Sequence, residues 1–376
     1  MTGDKVASAS VHEATVTART TWRFVRLTTQ AGEAGIGEFT FEPAPADVGE
    51  RMTRAAEALI GARADRSALA VLGDLVHGGF GPATLYSALE QALTDLEARA
   101  AGLPLVRHLG VAEARGVPLY ANINRRTVSR TPEGFAGSAR AAKEAGFSCM
   151  KLAPFDGLTP ALCGTPEGER LIAEGLARVE AVAAAVPQAA VMVDCHWRFT
   201  EDAAHEVVPL LEQAGVVWFE CPLAETADAV PALARLREAA NARGMRLAGL
   251  ETMTGWAGFA PFVEGRAYDV VMPDIKHCGG HAALIEIAER AAACGVATSA
   301  HNPSGPIAHA HSLHVTPRLP GVEPLEVQFD ETPRFDELTT PPPPRRSGTS
   351  SLPDGLGLGL TLRAGDDADE RSSRPL

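Results

Sequence analysis

The sequence predicts an α/β chain of 376 residues in which a (β/α) barrel follows a smaller α+β domain. Eight short apolar or β-branched runs alternate with Ala-rich amphipathic stretches between about residues 117 and 330. Residues 1–116 break that alternation with a hairpin pattern and then helices. The expected division is therefore 1–116, 117–330 and a C-terminal segment, 331–376.

In the first unit, WRFVRLTTQAGEAGIGEFTF carries apolar runs around Gly-containing turn signals and reads as an antiparallel hairpin, with Trp22 and Phe24 in core or interface positions. Two or three helices follow, including ATLYSALEQALTDLEARAAG. The barrel runs are VPLYANI (117–123), SCMKLAPF (148–155), AVMVDCH (190–196) and VVWFECP (216–222). RLAGLET (246–252), DVVMPDI (269–275), VATSAHN (296–302) and PLEVQF (324–329) complete them. Helical stretches between them predict parallel strands with crossovers. Two of these stretches open with Thr-Pro-Glu-Gly, at Thr131 and Thr165, an N-cap followed by proline in the first turn. Eight such units in this length favour a closed barrel over an open sheet, and no Gly-rich dinucleotide loop follows the first strand. TTPPPPRRSGTSS (339–351) reads as a linker without helix or strand. LGLGLTLRA is expected to return as a strand to the first domain, and DDADERSSRPL to be disordered.

Composition narrows the function. Hydrophobic residues at 45% supply a sizeable core, and charged residues at 22% fit a soluble globular protein. A net charge of −13 argues against nucleic acid, whose phosphates demand clustered Lys and Arg. It leaves an anionic small substrate open, since a bound dication reverses the local field. Six scattered cysteines without a CxxC pair suit reduced thiols. The N-terminus lacks an apolar signal core and no run approaches a membrane span, so a cytoplasmic location without membrane contact is expected.

Functional groups of such barrels sit at the C-terminal strand ends. The third run ends in Asp194, the fourth in Glu220 and the fifth in Glu251. Each is one strand-helix unit from the next, so the three carboxylates converge on one rim. Unpaired, they would repel, and a bound cation resolves this. All-oxygen ligation suits Mg²⁺. Asp274 and His301 end the sixth and seventh runs, where a carboxylate beside an imidazole makes a general base. His196, two residues past Asp194 and on the same strand face, is a candidate general acid or a hydrogen-bond support. Lys151 would neutralise a substrate carboxylate or a developing enolate. Lys276 competes with His301 for the base role, and Glu326 would donate a hydrogen bond to the enolate if protonated. Asn122 and Arg125 at the end of the first run are candidate substrate contacts, Arg125 and Arg126 being equally readable as exposed arginines. His309, His311 and His314 lack the geometry of a structural metal site and are expected at the surface.

The series Asp194, Glu220, Glu251, MPDIKHCGG and SAHNPSGP resembles the enolase superfamily, in its mandelate racemase-like branch. The likeness extends to the GxGE hairpin (Gly35–Glu38), LPLVRHLG and VPLYANIN. It implies a (β/α)7β TIM-like barrel with an α+β capping domain, Mg²⁺ on the three carboxylates and proton abstraction α to a carboxylate. Asp274 and His301 match the family's Asp-His dyad, Glu326 matches its eighth-strand Glu, and Asp194-Cys195-His196 resembles the Asp-x-His of sugar-acid dehydratases. Racemases of the branch carry Lys-x-Lys on the second strand, whereas Lys151-Leu152-Ala153 has no second lysine. The resemblance thus implies a sugar-acid dehydratase, with cycloisomerisation or epimerisation as alternatives. A barrel that binds a metabolite without catalysis is the rival of another class. The family also implies a homo-oligomer, a dimer or octamer.

Overall fold

The computed structural model describes residues 3–18, 20–114, 116–345 and 348–363. The acidic tail expected to be disordered lies outside them. Three antiparallel strands open the chain: β1 (Val6–Thr17), β2 (Thr20–Thr29) and β3 (Ala34–Glu38), in the order β1-β2-β3. The hairpin expected from Trp22 onward is β2 and β3, and β1 adds a third strand upstream of it.

Helices α1 (Val48–Glu57), α2 (Phe80–Ala100) and α3 (Leu105–His108) follow. Helix α2 is buried around most of its circumference, as a helix sandwiched between two layers must be. On one side it takes β3, where a Cβ at Gly35 or Gly37 would run into the backbone oxygens of Ala92 and Ala88. The two glycines of GIGE therefore allow the close approach.

The barrel strands are β4 (Val117–Asn122), β5 (Cys149–Leu152), β6 (Ala190–Asp194), β7 (Val216–Glu220), β8 (Arg246–Gly249), β9 (Val270–Val271), β10 (Ala297–Thr298) and β11 (Leu325–Gln328). They pair in parallel in the order β10-β9-β8-β7-β6-β5-β4-β11. A parallel bridge between Thr298 and Val322, on the approach to β11, closes the ring. Helices α4 (Pro132–Glu144), α5 (Pro166–Ala185), α6 (Glu201–Gln213), α7 (Val230–Asn241), α8 (Gly255–Glu264), α9 (Gly280–Ala293) and α10 (Pro306–Val315) connect the strands. Thr131 and Thr165 cap α4 and α5, their hydroxyls accepting from Gly134 N at 3.2 Å and Gly168 N at 3.1 Å. Tyr120, Met192, Trp218, Ala248, Val270 and Met272 fill the barrel interior. Alternate residues of the same strands, such as Leu119, Val193 and Phe219, face the helices.

The C-terminal segment departs from expectation. The stretch 339–351 contains two short strands, β12 (Thr339–Thr340) and β13 (Thr349–Ser350). Proline blocks pairing only at 341–344, and the threonines on either side are free to pair. Strand β13 runs antiparallel to Val117 and Pro118, at the start of β4. Within LGLGLTLRA, β14 (Thr361–Leu362) pairs with β12, whereas the return to the first domain is made upstream of it, at Gly357. The contact with that domain is made by backbone and side chains together: Gly357 forms a parallel bridge with Pro104, and Leu358 and Leu360 join Trp22, Phe24, Ile36 and Leu105 in one buried cluster. Short helix α11 (Arg334–Glu337) adds Phe335, edge-on to Trp22.

Candidate active site

Strand alternation turns Asp194 and Glu220 into the barrel mouth, and Glu251 lies two residues past the end of β8. The chain reaches that position through Leu250, which has a φ of 78°. One carboxylate oxygen from each of the three lies within 4.8 Å of the others, and all three residues are buried. Burial and the charge of Asp194 push the Glu251 carboxyl well above its ordinary range. Burial likewise pushes Glu220 up, to about 8 against the pull of Lys151. A cage of hard oxygens this close is electrostatically unfavourable by itself, and a divalent cation fits it.

Lys151, on β5, is 1% exposed and donates to Glu220 Oε1 at 2.5 Å, with Glu326 Oε1 at 3.2 Å. Burial opposes its charge, but Glu220 and Glu326 hold the ammonium form. That the same contact leaves Glu220 raised reflects its burial first and then the Asp194 and Glu326 carboxylates beside it. A cation held by Asp194, Glu220 and Glu251 would offset that repulsion and favour the charged forms. Trp218 Nε1 donates to the second Glu220 oxygen at 2.7 Å. Burial raises Glu326 too, but Lys151 and His301 outweigh it and lower its pKa to about 2. Glu326 accepts from Asn122 Nδ2 at 2.7 Å and Asn302 N at 3.1 Å, contacts that favour its carboxylate form, whereas a donor role toward an enolate requires the protonated form.

Asp274 and His301 form a parallel bridge on adjoining strands, and His301 Nδ1 lies 3.0 Å from Asp274 Oδ2. The other ring nitrogen faces the cage, 3.1 Å from Glu251 Oε2 and 3.9 Å from Glu326 Oε2. Lys276 donates to Asp274 Oδ2 at 2.5 Å and to Ser304 Oγ at 2.7 Å, and is 2% exposed. Its side-chain nitrogen thereby ties Asp274 to the loop after β10. Burial pushes Asp274 up, but Lys276, His277 and His301 together hold it well below the carboxylate range.

His196 is not on the strand. Its φ is 47°, and that turn folds its ring back so that Nε2 sits 2.6 Å from Asp194 Oδ2. Asp194 raises the imidazole's pKa against the effect of burial, which favours the proton-carrying form. His196 follows the third barrel strand and His301 the seventh, so the two rings stand on opposite sides of the mouth. Asn122 spends its oxygen on Asn124 N and its amide on Glu326. Arg125 pairs with Glu331 at 3.2 Å, and Arg126 with Asp330 at 3.0 Å. Both arginines are engaged by the segment after β11.

The three histidines expected at the surface are fully buried. Helix α10 is enclosed by the first domain and the C-terminal segment. His311 bonds the Ile36 carbonyl at 2.8 Å and His281 at 3.1 Å, His309 bonds Asn302 at 2.8 Å, and His314 bonds the Leu358 carbonyl at 3.2 Å.

Three supporting residues escaped the sequence reading. Glu38 of GIGE is fully buried and accepts from Gly305 N and Ala308 N at 2.8 Å each, capping α10 just beyond His301. Its motif was visible, its target was not. Glu225 Oε1 accepts from Leu250 N at 2.6 Å and Tyr268 OH at 2.9 Å, tying the loop after Glu220 to the backbone beside Glu251. Nothing in the sequence signals it. Gln328 follows Glu326 by one strand alternation, a signal that reading of β11 could have used.

Two family descriptions match the chain: "Enolase C-terminal domain-like" over residues 134–367, and "Mandelate racemase / muconate lactonizing enzyme, N-terminal domain" over 3–110. The chain is 30% identical over 290 residues to D-gluconate dehydratase of Thermoproteus tenax, covering 75% of this chain and 55% of that protein's length. It is 27% identical over 289 residues to D-galactarolactone cycloisomerase of Agrobacterium fabrum, covering 74% and 71%. Its fold is similar to that of a member of the enolase superfamily from Salmonella Typhimurium, with a TM-score of 0.86, 20% identity and 98% of each chain covered.

Proposed function

Because the chain belongs to the enolase superfamily, in its mandelate racemase/muconate lactonizing branch, we propose that it is a Mg²⁺-dependent lyase that dehydrates a sugar acid. Asp194, Glu220 and Glu251 would hold the metal, which, when bound, supplies Lewis-acid stabilisation of the substrate carboxylate as charge moves onto it. The observation that carries the reading is the placement of His301: one ring nitrogen on Asp274, the other 3.1 Å from the cage.

His301 Nε2 takes the proton from C2, and Asp274 keeps Nδ1 protonated and the ring aimed. The C–H electrons pass into the C1–C2 enediolate, near the ammonium of Lys151. Their collapse toward C3 expels the C3 hydroxyl, which His196 protonates to water. The enol left behind tautomerises to a 2-keto-3-deoxy acid. Five carboxylates (Asp194, Glu220, Glu251, Asp274 and Glu326) face two lysines at this mouth. An anionic substrate therefore needs the dication before it can bind. The absence of a lysine at Ala153 leaves no second base on β5, which disfavours epimerisation by that route.

The similarity to a lactone cycloisomerase supports a second reading, in which the same enolate expels an internal ring oxygen. Proton NMR in D₂O separates the two, with D-gluconate, D-xylonate, D-galactonate and galactarolactone as probes. Dehydration yields a keto-deoxy acid, cycloisomerisation conserves mass, and chelation of the metal stops either. If wild-type protein with Mg²⁺ neither exchanges an α-proton nor forms product from any of them, the proposed chemistry is wrong. The free cysteines fit a reducing compartment, so the proposed location is the cytoplasm. The homo-oligomer implied by the family is tested by sedimentation.

A further inference from the structure

We propose that Gln328 reads the distal hydroxyls of the substrate, selecting a polyhydroxy monocarboxylate over a dicarboxylate. The inference rests on the sugar-acid reading above and adds the substrate class. Leu325 and Val327 of β11 belong to the core between barrel and helices. Glu326 and Gln328 therefore share the opposite face, toward the barrel axis. Glu326 contacts Lys151, Asn122 and His301 there. Gln328 lies one alternation nearer the mouth, in register with Asn122.

Gln328 is 5% exposed, and its Oε1 is buried without a hydrogen-bond partner among the described residues. A buried carbonyl oxygen left without a donor is costly, so such an atom marks a place where another molecule supplies the donor. Asn122 beside it is saturated by Asn124 and Glu326. Its oxygen suits a hydroxyl, and the uncharged carboxamide of Gln328 offers a second carboxylate no compensating positive charge. Arg125, a candidate cation for such a carboxylate, is already held by Glu331, which also accepts from Thr20 of β2 at 2.9 Å. That tie brings the first domain over this side of the mouth, so a chain extending from the metal toward β11 meets Gln328 beneath the cap.

The test is calorimetric titration of Mg²⁺-loaded protein with D-gluconate, D-galactonate, galactarate and glycerate, the last lacking distal carbons. Wild-type protein should bind the two aldonates about tenfold more tightly than glycerate or galactarate. Gln328→Met should remove that advantage, leaving glycerate and Mg²⁺ affinities unchanged. Gln328→Glu, which keeps an acceptor and adds charge, should retain aldonate binding and weaken galactarate further. Thermal melting establishes that each variant is folded, and Gln328→Glu serves if Gln328→Met is not. The inference fails if glycerate binds wild type as well as the aldonates do, if galactarate binds more tightly, or if a folded Gln328→Met keeps the preference. Keto-acid formation is read separately. Selective aldonate binding without turnover would sink the dehydratase reading and spare Gln328, and turnover with no effect of Gln328 would do the reverse.

Discussion

At the scale of single residues, the division of labour around Asp274 makes the sharpest prediction. His301 presents a ring nitrogen to the cage, whereas the Lys276 ammonium is occupied by Asp274 and Ser304. His301→Asn should therefore lower α-proton exchange by about 10²–10⁴-fold, the usual worth of a positioned base. Lys276→Met should slow exchange and leave it measurable, because it loosens the dyad without removing the proton acceptor. Exchange abolished by Lys276→Met and spared by His301→Asn would exchange their roles. The identities of these residues were legible from strand ends, where Asp194 and Glu220 close their runs. Their environments were less so. His196 was placed by extrapolating the pleat, but the strand ends at Asp194 and His196 itself has a positive φ.

At the scale of elements, the loops matter more than the strands that carry them. β9 and β10 have two residues each, so Asp274 and His301 stand on backbone held by neighbouring loops rather than on long ladders. Glu225 plays that part for the cage, bracing the left-handed Leu250 beside Glu251. Gly249 is needed beneath it, since a Cβ there would collide with Glu225 Oε1 and the Tyr268 ring. Glu225→Leu should weaken Mg²⁺ binding about 10–100-fold, as loss of a ligand's support commonly does. Titration calorimetry with Mg²⁺ alone measures it, and an unchanged affinity would show the brace to be dispensable. Alternation and turn chemistry made the elements readable because both are local. A brace between two loops depends on tertiary approach and leaves no periodic trace.

At the scale of the whole molecule, buried histidines, those misread from sequence among them, contribute to the response to acid. Histidines at positions 309, 311 and 314 spread around the helix and make it read as polar, and only the enclosure of α10 makes all of them interior. Burial lowers His277 and His309 to about 3 and His314 to about 4, so each is neutral in the folded protein. The unfolded chain takes up protons near pH 6.5, and the folded chain does not until far lower. Stability is consequently intact above pH 6.5 and is lost as pH falls toward 3–4. Each histidine contributes a slope on the order of 1.4 kcal/mol per pH unit. Asp95 acts with the opposite sign: burial raises it to about 6, so its contribution falls as pH rises from 3.8 through that value. Thermal melting between pH 7.5 and 4.5 should show a steep decline for wild type and a shallower one for His309→Asn/His314→Gln. Parallel curves would mean that other groups govern the acid limb.

The carboxylate of Glu38 carries a consequence for how such proteins are recombined. Its two oxygens terminate a helix that belongs to the other half of the molecule, immediately downstream of His301. A barrel excised at its apparent boundaries would thus lose the acceptor for two amides within a few residues of His301. Grafting a foreign cap would succeed only where an acidic side chain returns to that spot. The two halves are written in separate stretches of sequence, but they do not come apart as interchangeable modules.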